Sequence, residues 1–362
     1  MGNTNQSSIK GRGARIQPAN RYLSVREEAD LEQVAADSAY LNHRQRPPTI
    51  YQPDQSQSIV SENDSPDIQF RYSLNPYRGC SHGCSYCFAR PTHEYLGLSA
   101  GLDFETRVMV KERAPELFRQ WLARPQWKAE MISFSGVTDC YQPAEREFVL
   151  TRGCLAVAAE CRQPIGVVTK NALVTRDLDH LRELAAYDAV SVSVSITTLD
   201  ADLARKMEPR TSSPTARLAA LQELNEAGIP TSVMVAPVIP GLNDSEIPAI
   251  LEAARTVGTR RAAYLLLRLP GTVRPVFLDW LRGTLPTQAE KVESRIRSSR
   301  NGQLNDTTFG RRHRGTGPLA EQIAQTFQVF SRKLGFRQGS LVFNTRDFRP
   351  PMPTSGQLRL FP

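Results

Sequence analysis

Residues 67–90 read DIQFRYSLNPYRGCSHGCSYCFAR: an alternating run, Ile68, Phe70, Tyr72 and Leu74, leads straight into Cys80, Cys84 and Cys87. Period-2 alternation predicts a β-strand. A strand ending in a loop of reactive residues suits a parallel α/β protein, where ligands gather at the carboxyl ends of strands. Cysteine thiolate is the usual ligand of iron–sulfur clusters. Three thiolates within eight residues serve three irons of a cubane, whereas a ferredoxin cluster or a closed zinc site takes four ligands. One iron is then left open to another molecule. A zinc knuckle stays open as an alternative, with His82 or His93 as fourth ligand. Cysteines this close together in 362 residues do not suggest a disulfide framework.

The strand–helix rhythm continues downstream. Strands are expected at Met131–Phe134, Ile165–Thr169, Ala189–Thr197, Thr231–Val238 and Ala262–Leu269. Helices are expected at Ala114–Leu122, Ala144–Cys161, Asp177–Ala186, Thr215–Ala227 and Glu246–Val257. Gly228 follows the fourth, as helix C-termini favour. Six strands alternating with helices imply an α/β fold of βαβ units, whose right-handed crossovers curl a parallel sheet into a barrel or partial barrel. Residues 67–270 form this core. Before it, residues 1–66 are rich in Gln, Ser, Asn and Pro and are expected to be a largely disordered arm, apart from one short helix within Tyr22–Tyr40. After it, helices at Pro275–Leu281, Gln288–Arg297 and Leu319–Leu334 make 271–345 a helical extension, and the Pro-rich tail 346–362 reads as extended.

The net charge of +8 is unevenly placed. Between Arg255 and Arg314 there are 13 Lys/Arg against 4 Asp/Glu, which leaves the rest of the chain nearly neutral. Such a concentration suits a phosphate-rich partner, so nucleic acid is the candidate partner of residues 255–314; charge alone fits a solvated surface equally well. No apolar stretch approaches the ~20 residues that span a bilayer. The polar N-terminus lacks the apolar core of a secretory signal, so a cytoplasmic protein with reduced thiols and no membrane contact is expected.

Cys80, Cys84, Tyr86 and Cys87 spell CxxxCx(aromatic)C, which resembles the signature of the radical S-adenosylmethionine (SAM) superfamily. The run TDCYQPAE, from Thr138 to Glu145, resembles the branch that includes spore photoproduct lyase and DNA-repair-photolyase-like relatives. The resemblance implies a (β/α)6 partial TIM barrel and a [4Fe–4S] cluster on Cys80, Cys84 and Cys87. It also implies SAM chelated to the open iron and cleaved reductively to a 5′-deoxyadenosyl radical, which abstracts hydrogen from substrate. An electron donor such as flavodoxin or ferredoxin is implied with it.

Carried onto the strand ends, the resemblance gives roles to single residues. Tyr86 and Phe88 bracket Cys87, where the family packs an aromatic near adenine. Ser135, Gly136 and Asp139 stand where many members carry a Gly-Gly-Glu-Pro-like turn for the SAM amino group; this chain keeps one glycine and an acid. Either Asp139 or the Ser135–Gly136 backbone is the expected acceptor. Lys170 falls where the SAM carboxylate needs a cation, and Arg210 is a second candidate for that carboxylate or for substrate. Ser191, Ser193 and Ser195 share one strand face, and Ser195, nearest the carboxyl end, is the candidate for the ribose. Backbone at Pro237 is the candidate for adenine. Arg268, inside LLLRLP, needs an anionic partner because unpaired burial is costly, and is expected to face substrate.

Cys140 is a candidate radical relay, out of register with the hydrogen-donor cysteine of the lyase. Cys154 and Cys161, seven apart on one helix, read as core. The rival reading is a nucleic-acid-binding metal protein in which the three cysteines only staple a loop; it has no use for Lys170 or Ser195. Within the enzyme reading, nucleic acid and a small metabolite both remain open as substrates. Gln357-Leu358-Arg359-Leu360-Phe361 resembles the pentapeptide by which many bacterial replication and repair proteins dock on the polymerase sliding clamp. Arg359 is the departure, and Gln357, Leu358, Leu360 and Phe361 are the implied contacts.

Overall fold

Val190, Val192 and Val194 are fully buried while Ser191 and Ser193 between them are half-exposed, so one β-strand already distinguishes the two faces of its sheet. The computed structural model describes residues 9–23, 47–339 and 341–352. Its main sheet has seven strands in the order β10-β9-β8-β7-β6-β3-β2. These are β2 (Val60–Glu62), β3 (Tyr72–Leu74), β6 (Ile132–Phe134), β7 (Ile165–Thr169), β8 (Val190–Ser195), β9 (Thr231–Val238) and β10 (Arg261–Leu266). From β3 to β10 all neighbours are parallel, and β2 adds an antiparallel edge to β3. This is the expected six-stranded parallel partial barrel. A small sheet joins β1 (Ile50–Pro53), β5 (Arg107–Val110) and β4 (Tyr77–Arg78) beside it.

Helices Ala114–Leu122, Leu150–Cys161, Leu178–Ala185, Pro214–Glu226 and Ile247–Thr256 cover the valine face, and together with the strands they bury one continuous core. Pro214–Glu226 starts on the Ser213 hydroxyl, which accepts from Ala216 N at 3.2 Å, and stops before Gly228 at φ 77°, where a side chain would be strained. The continuous helix expected over Ala144–Cys161 is broken at Val149, φ 54°. The buried Glu145 carboxylate accepts from Thr151 N at 2.9 Å and from the Tyr77 hydroxyl, which pulls the turn out of line. The first strand is also shorter than Ile68–Leu74, because residues 63–71 turn the chain from β2 into β3: Asn63 N donates to the Arg71 carbonyl at 2.7 Å and Ile68 N to that of Ser65 at 3.2 Å.

The disordered arm expected over 1–66 is corrected for its described parts. Within 9–23, residues Gly13, Ala14, Asn20 and Arg21 bond to Glu94, Leu98 and Glu105, and β1 and β2 occupy part of 47–66. The helix expected within Tyr22–Tyr40 falls, from residue 24 on, outside the described residues, as do Gln357, Leu358, Leu360 and Phe361. The C-terminal helices Val273–Thr284 and Ala289–Ser298 do not stand apart from residue 270: Phe277, Trp280 and Val292 share a second core with Cys84, Tyr86 and Met207. Helix Pro318–Lys333 packs near Ile247–Thr256, and Arg349 N donates to the Cys161 carbonyl at 2.9 Å. Among the described residues no helix is long and apolar enough to cross a membrane.

Candidate functional site

The loop after β3 is fixed from three sides. Gln142, fully buried, accepts from Ser81 N at 2.9 Å and donates to the Gly79 carbonyl at 3.0 Å. Arg90, fully buried, donates from Nη2 to the Cys84 carbonyl at 2.7 Å and ion-pairs with Glu105. The same Glu105 carboxylate accepts from Gly13 N at 3.0 Å and Ala14 N at 2.7 Å, so the N-terminal segment is bolted to the cysteine loop. The approach is so close that a Cβ on Gly13 would lie 1.7 Å from the Gly83 carbonyl oxygen.

Within this frame Cys80 and Cys84 are buried and Cys87 is half-buried, all three as free thiols. Burial, with Glu208 and the neighbouring thiols, holds the Cys84 thiol well above its ordinary pKa, and burial with Cys80 raises that of Cys87. Coordination inverts that preference, because a metal-bound thiol is deprotonated. The Ser81 and Ser85 hydroxyls are buried with no partner among the described residues. Three free thiols on one short, well-held loop, two of them buried and flanked by unpartnered hydroxyls, fit an iron–sulfur cluster. Among the described residues no three Cys, His, Asp or Glu side chains converge on a single-ion site. Tetrahedral zinc takes four ligands on one ion, whereas a cubane takes each thiolate on a different iron. His82 fits a zinc ligand poorly: Nδ1 lies 3.4 Å from Asp139 and Nε2 lies 3.2 Å from Asn171 Nδ2. Burial alone would lower the pKa of His82, but Asp139 and Cys80 outweigh it and push it up to about 9. His93 is buried edge-on against Phe104, ring centroids 5.5 Å apart.

At the carboxyl end of β6, Ser135 adopts φ 79°, uncommon for a residue with a side chain, and Gly136 runs so close to Ser73 that a Cβ would meet it at 2.7 Å. Asn75 holds the turn, accepting from Val137 N at 3.0 Å and Thr138 N at 3.1 Å. Asp139 does not present a free carboxylate to a ligand. Its oxygens accept from Tyr141 N, the Thr169 hydroxyl and Lys170 N, each within 2.9 Å, besides facing His82. Burial opposes the charge, but His82 and these donors hold the pKa down near about 2. A carboxylate has about four lone-pair sites, so Asp139 ties the β6 turn to the end of β7 and the cysteine loop.

Lys170 follows β7, with Nζ 5.9 Å from the Tyr86 ring and no carboxylate within ion-pair range among the described residues. Tyr86 donates its hydroxyl to Glu208, which also accepts from Thr197 Oγ1 at 2.6 Å and ion-pairs with Arg217. Arg217, buried, donates to the Ser195 carbonyl at 2.9 Å. That buried pair fixes the carboxyl end of β8, and Ser195 with it. Asn243 does the same for β9, donating to the carbonyls of Thr197 at 2.7 Å and Pro237 at 3.1 Å.

Two expected roles are corrected and a third candidate is placed. Arg210 points outward to the N-terminal segment, with Nε 3.2 Å from the Gly11 carbonyl, because its backbone N is held by the His82 carbonyl. Phe88 is 53% exposed, whereas Tyr86 on the other side of Cys87 is buried. Cys140 is fully buried in the main core, its backbone held by Ser135 Oγ and Thr151 Oγ1, so its thiol is out of reach of a substrate radical. Cys154 and Cys161 are core, as expected. Gln142, Arg90, Glu105, Asn75 and the Glu208–Arg217 pair escape a reading of strand ends, because each acts through contacts that only the folded chain brings together.

This architecture is that of parallel α/β barrels with a ligand site at the strand carboxyl ends. The model of the radical SAM superfamily matches residues 74–254, and the chain belongs to that superfamily. Its cofactors are accordingly a [4Fe–4S] cluster and SAM. Uncharacterised proteins of Mycobacterium tuberculosis and Mycobacterium bovis are each 41% identical over 221 residues, 60% of this chain and 65% of theirs. The chain thus spans just under two thirds of the length of these relatives. An uncharacterised protein of Methanocaldococcus jannaschii is 31% identical over 176 residues, 49% of this chain and 63% of that one. Among solved structures, a spore photoproduct lyase variant with bound SAM and a dinucleoside spore photoproduct aligns with a TM-score of 0.59 at 16% identity, covering 87% of this chain and 86% of that one. This last likeness is one of fold.

Proposed function

We propose that the protein holds its cluster on Cys80, Cys84 and Cys87, binds SAM across the carboxyl ends of β6 to β9, and abstracts hydrogen from a nucleic-acid strand. The observation that carries the reading is the cysteine loop itself: three free thiols, fixed by Gln142, Arg90 and Glu105, beside a lysine with no acidic partner among the described residues. When bound, cluster and SAM together supply a radical that abstracts hydrogen. The chain's part is orientation and exclusion of water. Lys170 offers a charge-assisted hydrogen bond to the SAM carboxylate. The Ser135–Gly136 backbone serves the amino group, Ser195 the ribose, and the backbone around Pro237 flanks the adenine. The 13 cationic residues between Arg255 and Arg314 support a nucleic-acid substrate, as does the dinucleoside lesion bound by the lyase of similar fold.

An electron must also enter. Two adjoining grooves, of about 600 and 580 Å³, share Arg15 and Gly283. They are lined by Arg12, Arg205, Lys206, Arg274 and Arg282 against one acid, Asp279, on the side where residues 11–14 meet the cysteine loop. Their charge suits an acidic donor such as flavodoxin or ferredoxin. The deciding experiment is anaerobic reconstitution followed by reduction with SAM. A brown protein with near four irons per chain, yielding 5′-deoxyadenosine, is expected; a colourless protein with stoichiometric zinc and no SAM cleavage refutes the reading.

A further inference from the structure

The parallel sheet is open between β10 and β3, and residues 306–313 bridge that seam. On one side the His313 carbonyl accepts from Leu266 N at 2.9 Å, at the end of β10. On the other, Gly310 N donates to Asp67 at 2.6 Å and Arg312 ion-pairs with it at 2.6 Å, just ahead of β3. Arg268 stands two residues past β10 and is half-buried. Arg300, only 2% exposed, donates from Nη2 to the carbonyls of Leu267 and Arg312. The bridge therefore gathers three arginines and a histidine at one place.

This cluster holds more cationic donors than the protein satisfies. Asp67 is taken up by Arg312 and Gly310, and Asp306 by Arg311 at 3.5 Å and Thr308 N at 2.8 Å. Arg268 Nε, Arg300 Nε and Nη1, and both ring nitrogens of His313 have no hydrogen-bond partner among the described residues. Burial, with Arg312 close by, holds the Arg268 pKa below its usual value; burial, with Arg268 close by, takes Arg300 down to about 10. Burial and the neighbouring guanidiniums take His313 down to about 4, so at neutral pH its ring is uncharged and donates one N–H. Buried donors left unpaired cost free energy, and like charges held together cost more. An anion relieves both.

We propose that Arg268, Arg300 and His313 form a binding site for a phosphate group of the substrate strand, at the seam of the barrel. Donors from three separate chain segments suit an oxyanion with acceptor oxygens in several directions, whereas one guanidinium fork already satisfies a planar carboxylate. Phe309, 57% exposed with the Arg312 guanidinium 4.7 Å from its ring centroid, offers an aromatic face beside the site on which a base stacks. The source of the phosphate rests on the nucleic-acid reading above; the site itself rests on the unpaired donors.

The test uses full-length reconstituted protein and two probes, inorganic phosphate followed by thermal melting and a labelled single-stranded DNA oligonucleotide followed by anisotropy. Wild type is compared with Arg268→Gln, His313→Asn and the charge-keeping Arg268→Lys. Phosphate should stabilise the wild type saturably and the two neutral variants not at all. Oligonucleotide affinity should fall about tenfold or more in Arg268→Gln, with the salt slope reduced by about one phosphate contact, and Arg268→Lys should lie between. Phosphate stabilisation in the wild type that disappears in the variants, with no oligonucleotide binding by any of them, supports the site but overturns the nucleic-acid reading. Oligonucleotide binding that is identical in all four proteins, or a wild type that phosphate leaves unshifted, overturns the site.

Discussion

Replacing Gln142 with alanine should loosen the cysteine loop without disturbing the barrel. The side chain is fully buried and makes two bonds to that loop, accepting from Ser81 N at 2.9 Å and donating to the Gly79 carbonyl at 3.0 Å. Truncation leaves one backbone donor and one acceptor unpaired, each costing about 1–3 kcal/mol. The loop should therefore open more easily by about 2–6 kcal/mol, and an open population grows tenfold per ~1.4 kcal/mol. If a chelator removes iron only from the open loop, iron loss should accelerate by at least about tenfold. The assay is the decay of cluster absorbance under anaerobic chelation, with the melting temperature of the metal-free protein as a control on global folding. Gln142→Glu should also fail, because a carboxylate cannot donate to the Gly79 carbonyl. A decay rate equal to wild type in both variants would show that Gln142 does not support the loop.

Further outcomes follow from the same frame. Gly13→Ala drives a methyl to 1.7 Å from the Gly83 carbonyl oxygen, so the N-terminal segment must lift off and iron retention should drop; full retention after reconstitution would contradict that packing. Lys170→Ala should weaken SAM binding by about 1.5–3 kcal/mol, the value of a charge-assisted hydrogen bond, in an equilibrium titration; unchanged affinity would remove Lys170 from the site. Glu208→Gln leaves Arg217 as an uncompensated buried charge and should destabilise the protein by about 3–5 kcal/mol in denaturant melts. A smaller loss than about 1 kcal/mol would mean that the Ser195 and Ser212 carbonyls and Thr211 satisfy Arg217 alone.

What could be read from sequence divides along contact range. Local periodicity exposes β8, whose valines face the helices and whose serines face away, and the six strands follow from the same signal. The spacing of Cys80, Cys84 and Cys87 is legible for a similar reason: one short loop carries it whole. Residues 9–15 read as disordered because a polar, glycine-rich segment has little apolar surface to bury. Their order comes instead from Arg12, Gly13 and Ala14 bonding to Glu105 some ninety residues away, and no composition reveals that. Asp139 shows the opposite failure. An acid just past a strand reads as a ligand, but donors from Thr169, Lys170 and Tyr141 saturate it, and that becomes visible only when β6 and β7 lie side by side.

The two features that sequence hides do related work. A partial barrel leaves its ligand loops without the neighbouring strands that would enclose them in a closed one. Here chain from outside residues 74–254 makes good that loss. Residues 11–14 cover the cysteine loop through Glu105, and residues 306–313 bridge β10 to the segment ahead of β3 through His313 and Asp67. Both additions are rich in backbone bonds and arginine and poor in apolar surface. They therefore add polar contacts while the hydrophobic core holds the barrel itself. The barrel and its additions are thus held by different forces, apolar burial inside and polar pairing at the seam and the N-terminal segment.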